Sequence, residues 1–184
     1  MSDPIQSIKQ LSAFLFASDA REMKTAYMEL AKLNPAPEVQ DWSSVEFSFN
    51  RLFVGPRALL APPYASIYLD DDQSRVMSES TMQIRHFYEL LGLVSPWLNK
   101  IPDDHIALEL DVLWQIETAL VNSDSPHLRD MREYLLAHLQ YWVPKFRQRI
   151  HAIDDVNPAI FYIVDMLYQV LFQEMSTTML QSIE

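Results

Sequence analysis

The chain has 184 residues, a formal net charge of −11, no cysteine and two glycines, a length that suits one domain able to bury a single core unaided. The missing cysteines exclude disulfides, thiolate catalysis and cysteine-ligated zinc or iron–sulfur sites, and the acidity argues against nucleic acid, whose phosphates need clustered Lys and Arg. With 49% hydrophobic and 21% charged residues the chain is too apolar for disorder, and no run approaches the ~20 apolar residues that span a bilayer.

The opening "MSDPIQSIKQ" lacks the basic segment and apolar stretch of a secretory signal, so a cytoplasmic protein without stable membrane insertion is expected. Helical spacing starts at once, with Ile5, Ile8, Leu11 and Leu15 stepping by three and four, then Met23, Tyr27 and Leu30, before "NPAP" at 34–37 ends the pair. Val45, Phe49, Leu52 and Phe53 mark a third helix that Gly55 and Pro56 close. Then comes an irregular stretch at about 54–79 that carries Pro56, Pro62, Pro63, Tyr64 and Tyr68. A connector of this length is usually functional or disordered, and its rings argue against disorder.

Beyond the acidic turn "LDDDQS", Ser80 is placed to cap a helix through Ile84, Phe87, Tyr88 and Leu91, with Gly92 as its stop. Asp103 is placed to cap the next, through Ile106, Leu110, Leu113 and Leu120. Ser125 and Pro126 open a helix with Leu128, Met131, Leu135 and Leu139 on one side, and Pro144 is expected to interrupt it. Asn157 and Pro158 start the last helix, which runs through Phe161, Val164, Tyr168, Leu171, Phe172 and Met175. The reading is all-α: residues 1–184 as one globular helical domain of about seven to nine helices with a long irregular Pro/aromatic loop.

Candidate chemistry is sparse. His86, His127, His138 and His151 fall on different helices without ligand spacing, and no metal site is expected. With Gly55 and Gly92 alone, a glycine-lined phosphate cradle cannot be built. In "PDDHIALELD" Asp104 and His105 sit at a helix start, where capping, ligand binding and proton transfer all stay open. Neighbours on a helix point about 100° apart, which disfavours a shared metal. The rings near Pro62 and Pro63 read either as a lid on the core or as a display on a stiffened backbone able to grip an apolar peptide.

The same residues carry a resemblance. "FNRLFVGP" and "APPYASIYLD", followed at 102–105 by "PDDH", resemble the TorD/DmsD/NarJ family of redox-enzyme maturation chaperones. The matching elements are Phe49, Leu52 and Phe53; Gly55 and Pro56; Pro62, Pro63 and Tyr64; and Pro102, Asp104 and His105. A weaker echo, "HLQYWVPKF", places His138, Trp142, Pro144 and Phe146. The chain has Ile101 where many members carry Glu, and Arg57 where some carry an aromatic.

The resemblance implies a cytoplasmic chaperone, not an enzyme, with no cofactor of its own and no catalytic residues. Its partner would be a molybdoenzyme catalytic subunit, bound through the N-terminal twin-arginine signal peptide while cofactor is inserted before export. Phe49, Leu52, Phe53, Tyr64, Tyr68, Asp104 and His105 would then bind the signal peptide. Asp104, helped by Asp70 to Asp72, would meet the guanidinium pair, the rings would meet the apolar segment, and His105 would orient Asp104 or the peptide backbone. A monomer and a domain-swapped dimer both fit. Two other functions stay open: a NarJ-like assembly chaperone for a molybdoenzyme subunit that is not exported, and a small metal- or nucleotide-dependent hydrolase using Asp104 and His105.

Overall fold

The computed structural model describes residues 3–69, 79–94 and 100–174, and Asp70 to Asp72 and Met175 lie outside them. The described residues form eight α-helices: α1 Pro4–Leu15, α2 Ala20–Leu33, α3 Trp42–Phe49, α4 Ser66–Leu69, α5 Glu79–Leu90, α6 Ile106–Asn122, α7 Pro126–His151 and α8 Pro158–Gln169. No strand forms among them. Two π-helical turns, Asn50–Val54 and Val170–Glu174, prolong α3 and α8.

The helix starts follow side-chain chemistry. Each first turn leaves N–H groups without intrahelical acceptors, and a short oxygen-bearing side chain supplies one. Asp3 accepts from Ile5 and Gln6, Asp19 from Glu22, Asp41 from Ser43, Ser125 from Leu128 and Asn157 from Ala159. At the end of α5, Gly92 takes φ +69, and the Gly92 and Leu93 amides return to the carbonyls of Glu89 and Tyr88. That paired return is the αL stop that glycine accommodates without a Cβ penalty.

Three expectations need correction. His105, not Asp103, caps α6, because its ring nitrogen Nδ1 accepts from the Ala107 amide. Ser80 lies inside α5 as a buried residue rather than before it. Pro144 does not break α7, which runs unbroken from Pro126 to His151. An interior proline costs a helix ~3 kcal/mol. Trp142, Val143, Phe146 and Ile150 around it are all fully buried, and burial at roughly 1.5–3 kcal/mol for each large apolar side chain outweighs that cost.

α1 lies between α2 and α6; α7 packs on α6, α8 on α7, and α3 bridges α2 to α8. One apolar cluster joins them, with Ile8, Leu11, Phe14, Leu30, Leu110, Leu113, Leu139 and Ile160 wholly enclosed. Polar ties fix the layers. Ser12 Oγ donates to the Ala107 carbonyl at 2.8 Å, and the Arg132 guanidinium pairs with Glu117 between α6 and α7 where both are buried.

The turn after α3 matters most for the site. In Asn50–Val54 the hydrogen bonds skip one residue further than in an α-helix, closing with the Gly55 amide on the Asn50 carbonyl at 2.9 Å. Gly55 then takes φ +101 and ψ −166, a region essentially restricted to glycine. A Cβ there would also meet the Arg57 carbonyl oxygen at 3.3 Å. Gly55→Ala is expected to lower stability by about 1–3 kcal/mol, read as a drop in the urea midpoint at unchanged m-value.

Candidate functional site: a strap clamped across an apolar cleft

After Gly55 the chain runs as an irregular strap over the ends of α3, α6 and α7. The Ala61 amide donates to the Leu52 carbonyl at 3.1 Å, and the Arg149 Nε donates to the Leu60 carbonyl at 2.6 Å. Next the strap pairs with the start of α6. The Ala65 amide donates to the Asp104 carbonyl at 3.0 Å and the Ile106 amide to the Pro63 carbonyl at 2.9 Å, forming one antiparallel bridge between Tyr64 and His105. Pro62 and Pro63 cannot donate, so the strap presents carbonyls there and the α6 start supplies the N–H.

Asp104 locks this pairing. Its carboxylate is fully buried, with Oδ2 accepting from the Ser66 amide at 2.8 Å and Oδ1 from the Thr81 hydroxyl at 3.0 Å. One side chain thus ties the strap, α5 and α6 together. Its neighbour Asp103 is also buried: Oδ2 accepts from Arg85 Nε at 2.6 Å, and the Asp103 carbonyl accepts from the Tyr88 hydroxyl at 2.9 Å. Burying carboxylates is tolerable only with such partners. Asp104 and His105 do not converge on a common point; the carboxylate turns to the strap and α5, and the ring turns to a cleft.

That cleft, about 250 Å³, lies between the α1–α2 corner, the end of α3 and the α6 start, and is walled by Phe16, Phe49, Phe53, Val54, Tyr64 and His105, with Ile101 at its edge. His105 meets Tyr64 and Phe16 edge to face, with ring centroids 5.2 and 5.9 Å away. His105 is 9% exposed, and burial lowers its pKa to about 4. Because Nδ1 accepts the Ala107 amide, the neutral ring carries its proton on Nε2. That Nε2–H has no hydrogen-bond partner among the described residues. Burial also raises the Tyr64 hydroxyl pKa, with the Asp104 charge adding to the effect.

Of the residues expected to form the site, the structure brings four to this cleft: Phe49, Phe53, Tyr64 and His105. Leu52 is enclosed in the core. Tyr68 faces the other way: its ring stacks on Trp142 at 5.6 Å, packs on Phe146 at 5.8 Å, and its hydroxyl donates to the Pro62 carbonyl at 3.0 Å. Asp104 is the clamp. Phe16 and Val54 were missed by sequence reasoning, since Phe16 is the first residue after α1 and Val54 ends a turn whose π register no apolar spacing reveals.

The second motif supports the first. Glu109, fully buried on α6, receives His138 at 2.9 Å on Oε1 and the Trp142 indole N–H at 3.0 Å on Oε2. Burial pushes the Glu109 carboxyl above its usual range against the opposing pull of His138. Burial alone would lower His138, but the charges of Glu109 and Asp104 and the hydrogen bond to Glu109 hold it above its usual value. Trp142 so fixed is the surface on which Tyr68 stacks. Among the described residues no group of three or more His, Asp or Glu could hold a metal ion, and no helix is long and apolar enough to cross a membrane.

The fold and site thus define an all-helical protein with a small aromatic cleft and a clamped strap beside it. The profile of the family described as "Nitrate reductase delta subunit" matches residues 16–148. The chain belongs to this family, which includes the TorD and DmsD chaperones. It is similar to the "Tat proofreading chaperone DmsD" of Salmonella typhi, at 31% identity over 104 residues, 56% of this chain and 47% of that one. It is similar too to the "Chaperone protein TorD" of Aliivibrio salmonicida, at 29% over 161 residues, 82% of this chain and 71% of that one. The chain spans about half the length of the DmsD relatives it matches. A solved Archaeoglobus fulgidus structure described as a redox enzyme maturation protein superimposes with a TM-score of 0.67 at 16% identity, covering 93% of this chain and 95% of that one, and supports the fold.

The His105 environment makes a prediction with a defined sign. Its pKa is lowered in the folded state to about 4, from an unfolded value near 6.5. The unfolded chain therefore binds more protons between those values, and folding stability falls as pH drops from about 6.5 to 4. His105→Asn keeps a capping oxygen but does not titrate. Its stability should fall less steeply over that window than that of the parent, as read by urea unfolding at several pH values.

Proposed function

We propose that this chain is a cytoplasmic chaperone that binds the twin-arginine signal peptide of a molybdoenzyme catalytic subunit and supports cofactor insertion before export. The observation that carries the reading is the convergence of Phe49, Phe53, Tyr64 and His105, from three separate segments, on one aromatic cleft. Within it the Nε2–H of a neutral histidine stands ready to donate to a peptide carbonyl. An apolar stretch of the leader would pack on the rings, where aromatic walls contribute area at little entropic cost. The relatives' names as chaperones, among them a Tat proofreading chaperone, support the same reading.

The peptide-binding roles divide. Phe49, Phe53, Tyr64 and His105 would touch the leader. Leu52, Tyr68 and Asp104 would position those four, Leu52 and Tyr68 by packing and Asp104 by holding the strap. A buried carboxylate with both oxygens already bonded is poorly placed to receive a guanidinium fork, which needs two free acceptors. Two other carboxylates meet at the α1–α2 corner instead, Glu22 exposed on α2 and Glu46 half-buried on α3. Glu22 Oε2 accepts from the Ser18 amide at 2.8 Å, and Glu46 Oε2 accepts from the Ala20 amide at 3.2 Å. Their second oxygens could take the arginines.

A second reading keeps the cleft and changes the client. The family profile carries the nitrate reductase delta subunit name, which favours a chaperone for a molybdoenzyme subunit that is not exported.

Calorimetry with a synthetic twin-arginine leader tests both. The exported-client reading expects micromolar or tighter binding that weakens with salt. It also expects at least ~10-fold weaker binding when both arginines become lysine. Equal binding of the two peptides favours the second reading, and no binding of any twin-arginine leader or client N-terminus overturns the cleft as a peptide site. The division of roles is tested by a double-mutant cycle. The losses from Asp104→Asn, or from the gentler Thr81→Val, should multiply with the lysine effect, whereas Glu22→Gln with Glu46→Gln should abolish it. Coupling at Asp104 would make it a direct contact.

A further inference from the structure

A larger groove opens on the other side of the 55–60 segment, about 650 Å³, walled by Phe47, Pro56, Ala58, Leu60, Arg51 and Arg57. Leu59 faces the aromatic cleft and Leu60 faces the groove, so one short segment is the partition between them. The apolar part of the groove is unusually open. Phe47 is 71% exposed and Leu60 38% exposed, whereas most of the other described rings are buried or half-buried. A large exposed ring lining a concavity marks an interaction site more often than one isolated on a convex surface.

The charge of this groove runs against the charge of the chain. Lys and Arg number 14 against 25 Asp and Glu, yet the charged residues that line the groove are both arginines, and no described Asp or Glu lines it. Arg51 is fixed in place: its Nη2 donates to the carbonyls of Asp154 at 2.8 Å and Asp155 at 2.9 Å. Those acceptors are neutral backbone groups, so they orient the guanidinium without cancelling its charge. Arg149 is held at the rim by its bond to the Leu60 carbonyl. Arg57 is exposed and makes no hydrogen bond or ion pair among the described residues. A guanidinium already held in position loses little further freedom when it meets a carboxylate.

The geometry points to a second peptide-binding groove, distinct from the aromatic cleft and of opposite charge preference, that takes a protein segment pairing apolar side chains with carboxylates. The apolar side chains lie against Phe47, Pro56 and Leu60, and the carboxylates meet Arg57 and the fixed charge of Arg51. A leader with adjacent arginines is repelled from this groove by like charge. The two sites therefore sort segments by sign: the cleft stands beside Glu22 and Glu46, and the groove beside Arg51 and Arg57. This claim does not depend on what occupies the cleft.

The probes are two blocked, fluorescein-labelled undecapeptides of Leu and Ala, one with two Glu and one with two Lys at the same places. By fluorescence anisotropy at low salt the Glu peptide should bind at least ~10-fold more tightly than the Lys peptide, and the difference should shrink at high salt. Arg57→Glu should reverse the preference, and Phe47→Ser should weaken both peptides; both positions are exposed, so neither variant is expected to unfold the chain. An unlabelled twin-arginine leader should leave the Glu peptide bound. Equal affinity of the two peptides, no binding at millimolar concentration, or displacement of the Glu peptide by the leader would each overturn the proposal. Self-association in sedimentation that disappears in Phe47→Ser would also overturn it, by making a second copy the occupant. Loss of leader binding with the Glu peptide still bound would count against the cleft reading alone.

Discussion

The Asp104 carboxylate joins the strap, α5 and the start of α6 at one buried point. Its two oxygens take a backbone N–H from the strap and a hydroxyl from α5, and its own carbonyl and the Ile106 amide pair with the strap's backbone. The strap has no helix ladder of its own across 55–65, so its polar backbone groups need partners from outside. A charged acceptor buried without water makes strong, directional bonds, and for the same reason leaves a costly vacancy if one partner is lost. The position of Tyr64, and through it one wall of the cleft, follows from this one side chain.

The strap's two tyrosines face opposite ways and do different jobs. Tyr64 looks to the cleft and the ring of His105, while Tyr68, on the single turn of α4, lies flat on Trp142. Behind Trp142, Glu109 ties α6 to α7 through two donors. A chain of contacts therefore runs from the α6 interior to the cleft wall, through Glu109, Trp142, Tyr68 and the strap. Lys145, also on α7, donates to the Tyr68 carbonyl at 3.1 Å and secures the far end. Both motifs picked out along the sequence belong to this one assembly.

Much of this was legible in the residues. Helical spacing and the Ser125, Pro126, Asn157 and Pro158 starts located the helices, because caps and apolar stripes are local properties. The unbroken α7 was not legible, since the burial that outweighs Pro144 comes from helices distant in sequence. The His105 cap was hidden for a related reason: Asp is the commoner capping residue, but Arg85 of α5 takes the Asp103 carboxylate and the strap and Thr81 take that of Asp104, which leaves histidine at the helix start. Resemblance picked out Phe49, Leu52, Phe53, Tyr64, Tyr68, Asp104 and His105 together, and nothing local distinguishes Tyr64 in the cleft from Tyr68 beneath it. The groove at Phe47 and Arg57 was not foreseen, because a concavity is formed by the path of the chain and has no spacing of its own.

The π turn at Asn50–Val54 makes the length of the chain here a structural constraint. It fits one more residue into a helical turn than an α-helix would, and it is bounded by Phe49 in the core and by the Gly55 conformation beyond. Removing or adding a residue there would rotate Leu52 and Phe53 by about 100° relative to Phe49, turning one of them from the interior to solvent. The spacing from Phe49 to Gly55 is thus a fixed length as well as a set of preferred residues.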